Sequence, residues 1–289
     1  MSGVLVLQKR YNYQSFPVDI FPPDLLRSMH AHVIGSYSRC TFNPQILCQV
    51  MAIIQKYTDG QIDEEKAKID LLNCARIAET NERAVINAVV ALISNLYDCD
   101  VKTLSEAHLA ASYIHPFIHG LLSYERPDSD NRPDYKVDIY TPGYKHNYTN
   151  VYGEMKPTVN MSPALIVNDF YRLAIFAKDA LDIFNLRQSL AFQAIGKTIT
   201  FFVMSLSHPQ LYTFTELARI QIPTKKSDLL NFIGHLNNLA FISSVHKNDR
   251  VPLESNLDDF RCDTLSTAYV EGCQVKLTSK KRSFALTMD

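Results

Sequence analysis

Two carboxylates and a lysine stand at spacings that suit metal-assisted phosphodiester hydrolysis. Asp134 follows Arg132-Pro133, and Glu154-Met155-Lys156 comes 20 residues later, with a turn between. Side chains alternate along a strand, so Glu154 and Lys156 point to one face. An antiparallel return of the chain brings Asp134 beside them at one end of a sheet. Paired carboxylates suit a hard cation, Mg²⁺ or Mn²⁺, which keeps several of its waters. Such an ion lowers the pKa of a bound water and neutralises charge on a phosphate. Met155 can add its backbone carbonyl to the metal, and Lys156 can position the attacking water or stabilise pentavalent phosphorus.

The surrounding pattern predicts the elements that hold these residues. Residues 1–42 read as irregular, with Phe21-Pro22-Pro23-Asp24 opening a short helix. Asn43-Pro44 is an N-cap followed by proline at the first helical position. Helical spacing continues over Lys66–Ala78 and Asn81–Tyr97, the latter with the apolar stripe Val85, Ala88, Val89, Leu92 and Leu96. A fourth helix runs from Thr103 toward Leu122, kinked at Pro116. Arg126–Asp134 is a loop. Tyr135–Tyr140 and Tyr148–Met155 form a hairpin whose connection contains Pro142-Gly143. Ser162-Pro163 starts a long helix with an apolar face of Ile166, Phe170, Leu173, Ala177, Leu181 and Phe184. Strands follow at Leu190–Ile195, Thr198–Leu206 and Leu211–Ile222, then a helix from Ser227 toward Phe241. This order predicts an α/β class with a central mixed β-sheet flanked by helices. The division is an N-terminal helical region (1–100), an α/β core (101–245) and a polar C-terminal tail (246–289).

Pro133-Asp134 followed by Glu154-Met155-Lys156 resembles the PD-(D/E)XK nuclease superfamily, over about residues 103–206. The resemblance implies a restriction-endonuclease-like fold. It also implies Mg²⁺ held by Asp134 and Glu154, with Lys156 assisting the water. In that family a glutamate on the first core helix often completes the metal site, and Glu106 is the candidate. Thr103-Leu-Ser-Glu106 also fits a capping box, which would engage Glu106 differently. The run Asp169–Asp182 resembles the corresponding helix of uncharacterised nuclease-like proteins of mucor-like fungi. The chain departs from the family where a strand normally precedes the Asp-bearing one, because residues 123–133 read as a loop. That departure leaves Asp138, 16 residues before Glu154, as the alternative first acid, with Pro133 favouring Asp134.

The implied function is a metal-dependent nuclease acting on DNA ahead of RNA. A catalytically inactive module of the same fold, binding nucleic acid or a protein, is the alternative. An α/β protein unrelated to nucleases is a third reading, favoured if Asp134 and Glu154 lie too far apart to share an ion. With 29 Lys+Arg against 30 Asp+Glu, the net charge of −1 excludes binding of a polyanion by bulk charge. Positive surface must be gathered locally, and Lys136, Lys156, Arg172 and Lys178 are the candidates, with Asp63, Glu64 and Glu65 placed elsewhere. Gln193 could adjoin the site.

His115 and His119 have the i, i+4 spacing of some zinc sites, but Pro116 lies between them and no further ligand is near. The six cysteines show no C-x-x-C pair and read as reduced thiols. Met1–Arg10 lacks the apolar run of a signal peptide, and no stretch suits a membrane span. These features predict an intracellular protein of cytoplasm or nucleus, with no membrane contact. Lys276, Lys280, Lys281 and Arg282 form a loose basic cluster of the nuclear-signal type. The N-terminal helices leave a homodimer open.

Overall fold

Capped helix starts and alternating strands organise the chain as its residue pattern predicts. The computed structural model describes residues 3–9, 21–98, 104–123, 134–140, 145–157, 162–248 and 260–263. Asn43 accepts a hydrogen bond from the Gln45 amide at 2.9 Å, with Pro44 opening the helix. Asp63 caps the next helix through the Lys66 amide at 2.7 Å. The helices are α1 (Pro23–Gly35), α2 (Pro44–Thr58), α3 (Glu64–Ile77) and α4 (Thr80–Ile93). α5 (Glu106–Leu109) and α6 (His115–Ile118) are each followed by a wide π-type segment, Ala110–Ile114 and His119–Ser123. These wide turns flank Pro116, which has no N–H to give and needs room for its ring. The anticipated kinked helix is thus one helix with two bulges. Thr103 lies outside the described residues. Ser105 is the cap, accepting from the His108 amide at 3.2 Å.

The strands are β1 (Val4–Leu7), β2 (Tyr135–Tyr140), β3 (His146–Lys156), β4 (Gln188–Ile195), β5 (Thr198–His208) and β6 (Leu211–Gln221). They form a six-stranded mixed sheet in the order β1-β6-β5-β4-β3-β2. β3 and β4 are parallel, joined by the crossover helix α7 (Pro163–Phe184), and β1 is parallel to β6. The segment read as irregular therefore contributes a strand: Val4–Leu7 is too short to signal itself by alternation, yet it pairs along β6. The helix expected from Ser227 begins as a 3₁₀ turn. It then continues as α8 (Leu229–Phe232) and α9 (Leu236–Asn248), beyond Phe241.

The sheet buries both faces. On one, Leu190, Phe192, Phe201 and Val203 join residues of α2–α6, α8 and α9 in a single core. On the other, Leu173, Ala174, Ala177 and Leu181 of α7 meet Ala191, Phe202, Met204 and Phe214. Phe202 and Phe214 stack at 4.8 Å, with Phe170 of α7 edge-on to Phe202 at 5.2 Å. Phenylalanine thus fills the core of a chain that has no tryptophan. This is an α/β protein with helices on both faces of its sheet.

Candidate active site

The strand alternation that buries Met155 in the helical-lobe core turns Glu154 and Lys156 the other way, toward α7. The β2–β3 ladder ends where Tyr135 pairs with Gly153. Just beyond it, Asp134 replaces the missing strand partner: its Oδ2 accepts the Met155 amide at 2.8 Å. The carbonyl of Lys156 is taken on the β4 side by the Gly196 amide at 2.8 Å. Successive strand carbonyls alternate in direction, so that of Met155 leaves on the β2 side, beside Asp134.

The first turns of α7 bring two further residues. Asp169 Oδ2 lies 3.5 Å from Lys156 Nζ, and Asp169 Oδ1 lies 3.3 Å from the Arg172 guanidinium. Arg172 also reaches to 3.6 Å from Glu154 Oε1. Lys156 Nζ is 3.8 Å from both Asp134 Oδ2 and Glu106 Oε1. Because Ser105 provides the cap of α5, Glu106 is left to face this cluster. Four carboxylates therefore surround two cations.

Position in the cluster sets the protonation. The Glu154 side chain is only 1% exposed. Burial first, then the neighbouring Asp134 charge, pushes its pKa up to about 8, while Arg172 pulls the other way. The neighbouring Asp169 charge acts on Glu154 in the same direction as Asp134. Burial works against the Lys156 charge, but Asp134, Asp169, Glu106 and Glu154 outweigh it and raise its pKa. Glu154 Oε1 and Asp169 Oδ2 are buried without a hydrogen-bond partner. Such atoms call for an explanation, an ion among them.

The donor set fits Mg²⁺ or Mn²⁺: oxygen ligands only, excess negative charge and an orphaned buried carboxylate oxygen. Glu106, Asp134, Glu154 and the Met155 carbonyl are the groups that would hold it. Among the described residues no group of three or more acidic, histidine or cysteine side chains stands close enough together to hold a metal ion as they are arranged here. Lys156 occupies the centre of the acids.

The other candidates fall in different places. Asp138 sits opposite Thr149, far along β3 from Glu154. It accepts the Thr149 hydroxyl and pairs with Lys136 at 2.8 Å. Lys136 is therefore engaged away from the acids. Lys178, expected on a polar helix face, is buried. It donates to Asp182 at 2.8 Å and to the Cys262 carbonyl at 2.6 Å, 4.6 Å from the Tyr212 ring centre. Of the four cations anticipated around the site, only Lys156 and Arg172 reach it. Gln193 is beside Glu154 in the β3–β4 register, but its amide donates to the Ile166 carbonyl at 3.2 Å and anchors the start of α7. His115 and His119 are exposed on their helix, His115 edge-on to Tyr135 at 5.3 Å. Pro133, Pro142-Gly143, Cys99, Cys273 and the basic cluster at 276–282 lie outside the described residues. Cys40, Cys48, Cys74 and Cys262 are free thiols.

Asp169 carries a role that its sequence position understates. It interrupts the buried stripe between Ile166 and Leu173, and a carboxylate on such a stripe is the signal that could have found it. No helix among the described residues is long and apolar enough to cross a membrane. No family model, no curated protein and no solved structure matches the chain.

Proposed function

We propose that the protein is a metal-dependent nuclease of restriction-endonuclease-like fold, hydrolysing phosphodiester bonds of DNA ahead of RNA, inside the cell. The observation that supports this reading is the meeting of Asp134, Glu154 and Lys156 at one sheet end, with excess carboxylate and an orphaned Glu154 oxygen. The β2-β3-α7-β4 order, with β3 and β4 parallel across α7, supports the same fold in part, since the strand that the family places before the Asp-bearing one has no counterpart among the described residues between Ser123 and β2.

Bound Mg²⁺ would supply an activated water and neutralise phosphate charge. Asp134 fixes the strand end by accepting the Met155 amide. Asp169 holds the Lys156 ammonium from the α7 side, aiming it across the face where Glu154 and Asp134 meet. Lys156, kept charged by its neighbours, orients a water and stabilises charge building on the phosphorus oxygens. Arg172, partly exposed, is placed to bind a flanking phosphate.

Plasmid, single-stranded DNA and RNA incubated with Mg²⁺ or Mn²⁺ test the reading. The wild type should cleave at least one of them, and the E154A/K156A variant should not. Equal activity of the two proteins rejects it.

A second reading rests on Arg172, whose guanidinium already gives Glu154 a counter-ion at 3.6 Å. In a catalytically inactive module of this fold, binding nucleic acid or a protein, Arg172 would stand where the metal charge is needed. Calorimetry with Mg²⁺ separates the two: no heat of binding, together with measurable DNA binding, favours the inactive module.

A further inference from the structure

A cavity of about 560 Å³ opens between α1 and the sheet, on the face away from α7. This volume falls within the span of small-ligand sites, about 300–1,000 Å³. Its floor is one polar rung across three strands, Gln188 opposite Ser205 and Ser205 opposite Thr213. Gln188 is five residues before Gln193 on β4, so the cavity and the acid cluster occupy opposite ends of the sheet. The Ser205 and Thr213 hydroxyls are 3.0 Å apart, and either can act as donor. One wall is apolar, made by Met29 and Val33 of α1 and by Leu206. The ring of Tyr37 continues that wall, and its hydroxyl is tied to Gln188 Oε1 at 2.5 Å.

The rim has the opposite character. Arg187, His32 and His208 line the cavity, and no Asp or Glu is among the described residues that do so. Arg187 is exposed and has no acidic partner among the described residues. A guanidinium facing a cavity without a counter-ion is suited to a phosphate, which it can grip through two parallel hydrogen bonds.

We propose that this cavity binds a nucleoside monophosphate. The phosphate lies against Arg187, with His32 and His208 as further donors. The flat base lies along Tyr37 and the apolar wall, and the sugar hydroxyls meet the Ser205–Thr213 pair. The site is separate from the acid cluster and does not depend on the nuclease reading.

Calorimetric titration of the full chain with AMP, adenosine and ribose 5-phosphate tests the proposal. AMP should bind saturably, at least about tenfold more tightly than either fragment, because charge and ring surface both contribute. Arg187→Gln and, separately, His208→Gln should each weaken AMP by about tenfold or more, with an unchanged melting curve. Glu154→Gln should leave AMP binding as it was. The proposal is overturned if AMP does not bind, if the Arg187 variant binds it equally, or if ribose 5-phosphate matches it. Loss of AMP binding in the Glu154 variant also overturns it, since the nucleotide would then sit in the acid cluster.

Discussion

Glu154 keeps its proton to about pH 8 because its carboxyl is buried and faces Asp134. In the unfolded chain it returns to the ordinary range near 4.5. Between these values the folded state binds the extra proton, so this group's contribution to stability is fully present below the lower pKa and lost as pH rises through the upper one. The linkage slope for one such group is about 1.4 kcal/mol per pH unit. In metal-free buffer the melting temperature should therefore fall from pH 5.5 to 8.5, and Glu154→Gln should flatten the fall. Parallel melting curves for the two proteins would contradict the assignment. In the proposed nuclease Lys156 makes a different demand, since there it would act on charge that develops during reaction. Lys156→Met should reduce nuclease turnover by about 10²-fold or more, with the substrate KM little changed. An unchanged turnover number would remove Lys156 from the chemistry.

Strand β3 is the element on which the site depends, and Gly153 shows how tightly it is seated. A Cβ added there would stand 2.1 Å from Cζ of Phe192, whose ring is held by Tyr135 and Phe201 at 5.6 and 6.0 Å. Gly153→Ala should destabilise the protein by about 1–3 kcal/mol, because neither ring nor strand can yield without disturbing its neighbours. Urea unfolding measures this, and a midpoint equal to wild type would show that Phe192 relaxes freely. Much of the element's role was legible beforehand. The E-x-K alternation set the face, Ser162-Pro163 set the start of α7, and the 20-residue return set Asp134 near Glu154. The failures share one cause, which is that side-chain partners distant in sequence leave no periodic mark. Lys178 reads as a surface cation until Cys262 and Asp182 enclose it. Val4–Leu7 has too few residues for alternation to stand out, and the edge of β6 recruits it. Asp169 looked like part of a helix, although its place on the buried stripe is what sets it over Lys156.

At the scale of the molecule, the near-zero net charge restricts how nucleic acid can be approached. The acidic start of α3, Asp63 to Glu65, belongs to the helical lobe on the sheet face away from α7. Among the described residues only Lys156 and Arg172 supply positive charge at the acid cluster, against Glu106, Asp134 and Asp169 and a Glu154 that keeps its proton to about pH 8. Without a cation this end of the sheet repels phosphate, and binding should be at least about tenfold weaker in EDTA than in a non-hydrolysing metal such as Ca²⁺. With the metal present, two protein cations neutralise about two phosphates. The logarithm of the association constant should then fall against the logarithm of salt with a slope of about −2 on duplex DNA. Fluorescence anisotropy of a labelled duplex over a salt series reads both effects. A slope steeper than about −5 would require basic surface beyond these two residues. Binding that ignores the metal would mean that DNA docks away from the acids, and the fold would then serve as a binding module whose carboxylates stabilise the sheet end instead of cleaving a strand.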